Sequence, residues 1–181
     1  SIVHFSKNES GELCYEVGEH AKKFLIKEPE MTIFDSKLML GRQFNDPDMQ
    51  QLISQYPFKV IENEEDGGIL IELESIGVIL KPYEVSGYIL KHLVDIGNEF
   101  LKTEQKTNRV IITIPANFGD EQREETKKAA AFAKLNLIDM INEPTSAGIS
   151  YGLREKCTEL KHSLIFDFGG GTLDVSLLSI Q

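Results

Sequence analysis

The sequence predicts an α/β chain, with a partly parallel mixed sheet and its helices in residues 84–181 and a smaller α+β subdomain in residues 1–83. Three observations carry this. "RVIITI" at 109–114 is a continuous apolar, β-branched run that reads as a buried strand, and a helical stretch and then "NLIDMI" follow it in β-α-β order. "PFKVIENEEDGGILIEL" at 57–73 is two strand-like runs joined by an Asp66-Gly67-Gly68 turn. "LIFDFGGGTLDVSLLSI" at 164–180 is a second such pair, bent around three glycines.

From the N-terminus, "SIVHF", the turn "NESGE" and "LCYEVG" read as an opening hairpin. Two short helical stretches follow; the second begins near Asp35, whose carboxylate is expected to cap "SKLMLG" before Gly41 stops it, with Lys37 in the first turn. Pro82 opens a helix in which Val85, Ile89, Leu93, Ile96 and Phe100 recur every three or four residues through Leu101, so one face should pack. After "RVIITI", "PANFGD" turns and "DEQREETKKAAAFAKL" is helical, acidic first and lysine-rich later as the helix dipole favours. "EPTSAGISYGL" reads as a turn into a short helix between "NLIDMI" and the glycine hairpin.

Composition excludes several classes. The chain has 181 residues, 41% of them hydrophobic and 27% charged, and no apolar run reaches the ~18 residues of a membrane span. A formal charge of −10 without a Lys/Arg cluster argues against nucleic acid or an anionic membrane as partner. Cys14 and Cys157 form no CxxC, which favours a reducing compartment. His4, His20, His92 and His162 lack ligand spacing and read as surface or half-buried residues.

If the glycine turn spans Gly169–Thr172, Phe168 faces Leu173 and Asp167 faces Asp174. Two carboxylates then share one face about 5 Å apart, which is destabilising unless a cation lies between them. Glycines leave backbone N–H groups unshielded, so Gly169, Gly170 and Gly171 can form an anion-holding concavity, with the Thr172 hydroxyl as a further donor. Phosphate plus metal satisfies both halves; a plain hairpin with two solvated acids is the alternative. Glu143 falls where a strand gives way to a helix, a position for holding a metal-bound water, or else is a loop acid. Pro115 ends the neighbouring strand at the same sheet edge, and Lys37 offers a compact charge for a phosphoryl group or is a surface lysine.

The phrases "YEVGEHAKK", "IFDSKLMLGRQFND", "YPFKVIE", "VIITIPANFGDEQREETKKAA", "INEPTSAGISYGL" and "LIFDFGGGTLDVSLLSI" occur in the order of the seventy-kilodalton heat-shock chaperones, and the chain resembles most of the first lobe of their nucleotide-binding domain. The resemblance implies an actin-like ATPase (ribonuclease H-like) fold. It implies ATP or ADP held at the β- and γ-phosphates by Gly169, Gly170, Gly171 and Thr172, and Mg²⁺ and K⁺ bound with help from Asp167 and Asp174, Asp167 also orienting the attacking water. Lys37 matches the catalytic lysine beside the γ-phosphate, Glu143 the carboxylate that senses metal and nucleotide, and Pro115 with Arg123 the relay toward a peptide-binding domain. Implied partners are unfolded client peptides, a J-domain cochaperone and a nucleotide exchange factor, in the cytoplasm or alternatively the endoplasmic reticulum.

Departures qualify the match. Phe168 and Leu173 stand where the family usually has leucine and phenylalanine, and Asn117, Gly119, Ser146 and Gly148 replace tyrosine, asparagine and alanines. Asp139 stands where the family usually has an arginine that docks the interdomain linker and the J-domain, so coupling to that cochaperone is in question. The family's first Asp-Leu-Gly-Thr-Thr phosphate loop and second lobe have no counterpart in these 181 residues, so the chain alone is expected to hydrolyse little. A non-catalytic nucleotide-binding or regulatory module on the same scaffold is the competing reading, and an actin-like or sugar-kinase ATPase a third.

Overall fold

The structure is a computed structural model that describes residues 1–102, 106–155, 160–169 and 173–180. The chain divides into two compact units, residues 1–108 with 120–136, and residues 109–119 with 137–181.

The first unit opens with strand β1 (Ile2–Lys7) antiparallel to β2 (Leu13–Val17), with Val3 opposite Val17 and Phe5 opposite Tyr15. The Asn8 side chain fixes the turn by accepting from the amides of Ser10 (3.0 Å) and Glu12 (2.9 Å). Helices α1 (Glu19–Lys22) and α2 (Phe24–Lys27) lead to β3 (Thr32–Phe34), which pairs with the other edge of β1. A second antiparallel sheet has the order β4 (Lys59–Glu62), β5 (Ile69–Leu73), β6 (Val78–Leu80). In its first turn the Asp66 carboxylate accepts from Gly68 N at 2.9 Å. Alternating positions Ile69, Ile71 and Leu73 turn inward and join Val3, Phe5, Ile33, Met39, Met49 and Val85 in one core.

Helix α5 (Pro82–Leu101) starts as the sequence predicts: proline occupies the first turn and the Glu84 carboxylate reaches back to Lys81 N at 2.7 Å. Only its first half is covered. Val85 is buried and Ile89 packs on the core, but Leu93, Ile96 and Leu101 are exposed and Phe100 is 82% exposed, so the apolar stripe outruns its cover among the described residues. Helix α6 (Asp120–Phe132) crosses α5 at Gly87, where an added Cβ would lie 2.6 Å from the Phe132 ring and 3.0 Å from the Ala129 carbonyl; only glycine admits that approach.

Two further expectations are corrected in this unit. Asp35 does not cap α3 (Ser36–Met39) with its side chain: its backbone is left-handed (φ 57°) and not in the extended region usual for a capping residue, and the Asp35 carbonyl accepts from Leu38 N as the first bond of the turn. His4 is buried, stacked on Phe24 at 3.8 Å, with Nδ1 3.1 Å from the Thr32 hydroxyl. That hydroxyl donates to the Glu28 carbonyl (2.8 Å), and His4 Nε2 lies 3.4 Å from a Glu28 carboxylate oxygen, so both ring nitrogens have polar neighbours. Helix α4 (Pro47–Ile53), capped by Asp46 onto Asp48 N at 3.0 Å, has no counterpart among the elements expected from the sequence. Beyond it, Tyr56 stacks on Phe58 (4.8 Å), and its buried hydroxyl has no hydrogen-bond partner among the described residues.

In the second unit, β7 (Arg109–Ile114) pairs with β8 (Asn136–Asn142), β9 (Lys161–Phe168) pairs antiparallel with β10 (Leu173–Ile180), and α7 (Glu143–Glu155) packs on β7, β9 and β10. Strand β7 is not buried on both faces as its apolar run suggests. Ile114 is covered and Ile111 is exposed, because a two-stranded ladder has few neighbours to cover a second face.

Candidate functional site

The β9–β10 register sets Phe168 opposite Leu173 and Asp167 opposite Asp174. Directly opposed residues project to one face of a ladder, so the two carboxylates are neighbours, with Asp174 half-buried and Asp167 exposed. Among the described residues neither carboxylate has a hydrogen-bond or ion-pair partner. Adjacent like charges without a donor between them store repulsion that a cation removes. Two carboxylates are also the donor set that Mg²⁺ takes when phosphates and water complete its shell, so these residues fit that ion. Among the described residues no three His, Cys, Asp or Glu side chains gather into a site that would hold a metal unaided.

Gly169 is exposed at the end of β9, whereas Gly170, Gly171 and Thr172 lie outside the described residues. Glu143 is the first residue of α7 and is half-buried; a carboxylate there also complements the positive end of the helix dipole. Pro115, buried, follows β7 and accepts from Phe118 N at 3.2 Å, closing the turn that "PANFGD" predicts. Asp139 is exposed on β8, and its carboxylate accepts from Met140 N at 2.8 Å.

Lys37 and Arg123 belong to the first unit. Lys37 is exposed on α3 between two anchored residues. Ser36 is buried with its hydroxyl 3.3 Å from that of Ser86 on α5, and Met39 is in the core. Arg123 is half-buried in the first turn of α6. The same unit holds a cleft of about 330 Å³, lined by Arg42, Asn63, Asp66, Lys81 and Asp120 among others, which neither Lys37 nor Arg123 lines. Sequence reading missed this cleft because its walls come from four separated segments.

A family model described as Hsp70 protein matches residues 1–181. The chain belongs to the Hsp70 family. It is 41% identical over 165 residues to a heat shock 70 kDa protein of Neurospora crassa, a match covering 91% of this chain and 25% of the relative. Over 165 residues it is 40% identical to a heat shock 70 kDa protein of Trichophyton rubrum, again covering 91% of the chain and 25% of that protein. A ribosome-associated molecular chaperone of Eremothecium gossypii is 42% identical over 167 residues, with shares of 91% and 27%. The chain thus spans about a quarter of the length of the curated relatives it matches. Hsp70 membership gives the actin-like ATPase fold class, consistent with the mixture of helices and small sheets described above.

No helix among the described residues is long and apolar enough to cross a membrane.

Proposed function

We propose that this chain is part of the ATP-binding and ATP-hydrolysing domain of an ATP-dependent chaperone that assists protein folding in the cytoplasm. The observation that carries the reading is the opposed Asp167–Asp174 pair beside Gly169 in a chain of the Hsp70 family. Mg²⁺ held with these two carboxylates would neutralise charge on the β- and γ-phosphates, and K⁺ is the second ion we assign to the same acids. Gly169 with Gly170, Gly171 and Thr172 supplies backbone and hydroxyl donors to those phosphates. Lys37 places a point charge beside the γ-phosphate, Asp167 orients the attacking water, and Glu143 senses metal and nucleotide. Pro115 and Arg123 relay nucleotide state toward a peptide-binding domain that grips unfolded clients, and a nucleotide exchange factor resets the cycle.

Phosphoryl transfer draws its acceleration from positioning and electrostatics, which need the whole phosphate clamp, so the chain alone turns over little ATP. In the complete protein with magnesium, Lys37→Ala lowers turnover by about 100-fold or more while ATP affinity stays within about threefold. Unchanged turnover would remove Lys37 from catalysis, and failure to bind ATP or ADP at millimolar levels would remove the reading itself. A J-domain cochaperone is the partner on which Asp139 bears most directly. If its negative charge weakens that docking, Asp139→Arg raises J-domain stimulation of turnover, and no change on substitution separates Asp139 from that interface.

A further inference from the structure

We propose that Gly41 is a positioning residue for Lys37: its bare Cα seats the Lys37 turn directly on the backbone of the first turn of α6, next to Arg123. The inference rests on the catalytic reading of Lys37 given above.

At Gly41 the backbone is left-handed (φ +62°), and a Cβ there would lie 2.7 Å from Gln122 N, 2.8 Å from the Glu121 carbonyl carbon and 3.0 Å from Gln122 Cα. The obstructing atoms are main chain, so no side-chain rotation relieves the clash and the two segments would have to separate. Lys37 lies four residues before Gly41, and Arg123 one residue after Gln122. On its other side the same turn is tied to α5 through the Ser36–Ser86 hydroxyl pair, and Met39 anchors it in the core. The Lys37 backbone is therefore held from two directions, by α5 and by α6, with Gly41 as the α6 contact. Within α6, buried Thr126 donates to the Gln122 carbonyl at 2.8 Å, which ties the seat for Gly41 to the next turn of its own helix.

Gly77 supplies the control. It has the same φ of +62°, but an added Cβ there would meet nothing within 4 Å, so Gly77→Ala carries the backbone strain without the clash.

The test uses the complete protein and reads kcat and KM for ATP separately, with circular dichroism to establish folding. Gly41→Ala is expected to lower kcat by about tenfold with KM within about twofold, because a shift of the Lys37 turn removes transition-state contact rather than ground-state binding. Gly77→Ala should leave kcat unchanged. Thr126→Val conserves volume and loosens the Gln122 seat without adding bulk there; it is expected to lower kcat by about threefold at constant KM, and it carries the test if Gly41→Ala does not fold. Overturning results are a folded Gly41→Ala with wild-type kcat, a Gly77→Ala that loses as much as Gly41→Ala, or, where Gly41→Ala does not fold, a Thr126→Val with wild-type kcat. If Lys37→Ala itself leaves turnover intact, the catalytic reading fails and this inference with it. If Lys37→Ala abolishes turnover while Gly41→Ala does not lower it, the positioning role alone is lost.

Discussion

Strands β5 and β9 carry the same period-two alternation and end in opposite surroundings. In β5, Ile69, Ile71 and Leu73 are all buried. In β9, Leu164, Phe166 and Phe168 face Leu177, Val175 and Leu173 of β10 on one side of the ladder, and all six are more than half exposed, Phe168 by 76%. Alternation specifies which side chains share a face; whether that face is covered depends on segments far away in sequence. The two halves of α5 repeat the lesson, with Val85 in the core and Phe100 in solvent on one continuous helix.

The contrast can be broken by matched truncations. Ile71→Ala in the chain should cost about 3–4 kcal/mol by urea denaturation, since it removes a fully buried side chain and leaves a cavity. Val175→Ala on the exposed ladder face should stay within about 0.5 kcal/mol. A cost above about 1.5 kcal/mol at Val175 would mean that this face is covered in solution.

Between those extremes lies the start of α5. Glu84→Ala removes the acceptor for Lys81 N and is expected to destabilise by about 1 kcal/mol, read as a shift of the denaturation midpoint at unchanged slope. On the other side of the comparison the sign reverses. Asp174→Asn takes away one of two opposed carboxylates and, without magnesium or nucleotide, should stabilise the chain by about 0.5 kcal/mol. Destabilisation would point to a favourable partner for Asp174.

The smallest effect concerns acid. Burial holds the His4 imidazole below its ordinary value, outweighing the raising influence of Glu28, Glu16 and Glu30, while Lys23 lowers it further. The unfolded chain, with a histidine near the ordinary 6.5, takes up the proton first as pH falls. The His4 contribution is therefore complete above that value and is lost progressively below it. The midpoint of His4→Gln should fall less than that of the parent between about pH 7.5 and 5.5, and parallel profiles would show that His4 is not the titrating group.

Much of this was legible because it is local. Hairpins marked by "NESGE" and Asp66-Gly67-Gly68, the Pro82 start of α5 and the facing of Asp167 and Asp174 follow from turn chemistry and periodicity. Helix α4 has its signal in Asp46-Pro47, a cap followed by proline, but at seven residues it is too short for its apolar positions to establish a period. Three other features are set by distant partners. The packing of α6 on α5 through Gly87, the burial of His4 under Phe24 and the seating of Gly41 on Gln122 join residues separated by 20 to about 80 positions, which no local pattern encodes. For the candidate site, the cross-strand acid pair is visible in both sequence and structure, while the roles of Lys37, Glu143, Pro115 and Arg123 rest on family likeness.

Tyr56 gives the first unit a built-in optical gauge. Burial, with the negative charge of Asp35 adding to it, pushes its phenol up to about 12, and the chain has no tryptophan to mask ultraviolet changes. In alkaline titration its phenolate band, together with that of Tyr88, whose phenol burial also raises, should lag behind that of an ordinary tyrosine until the surrounding aromatic rings open, so a purely spectrophotometric signal would time the loosening of this unit without any attached dye.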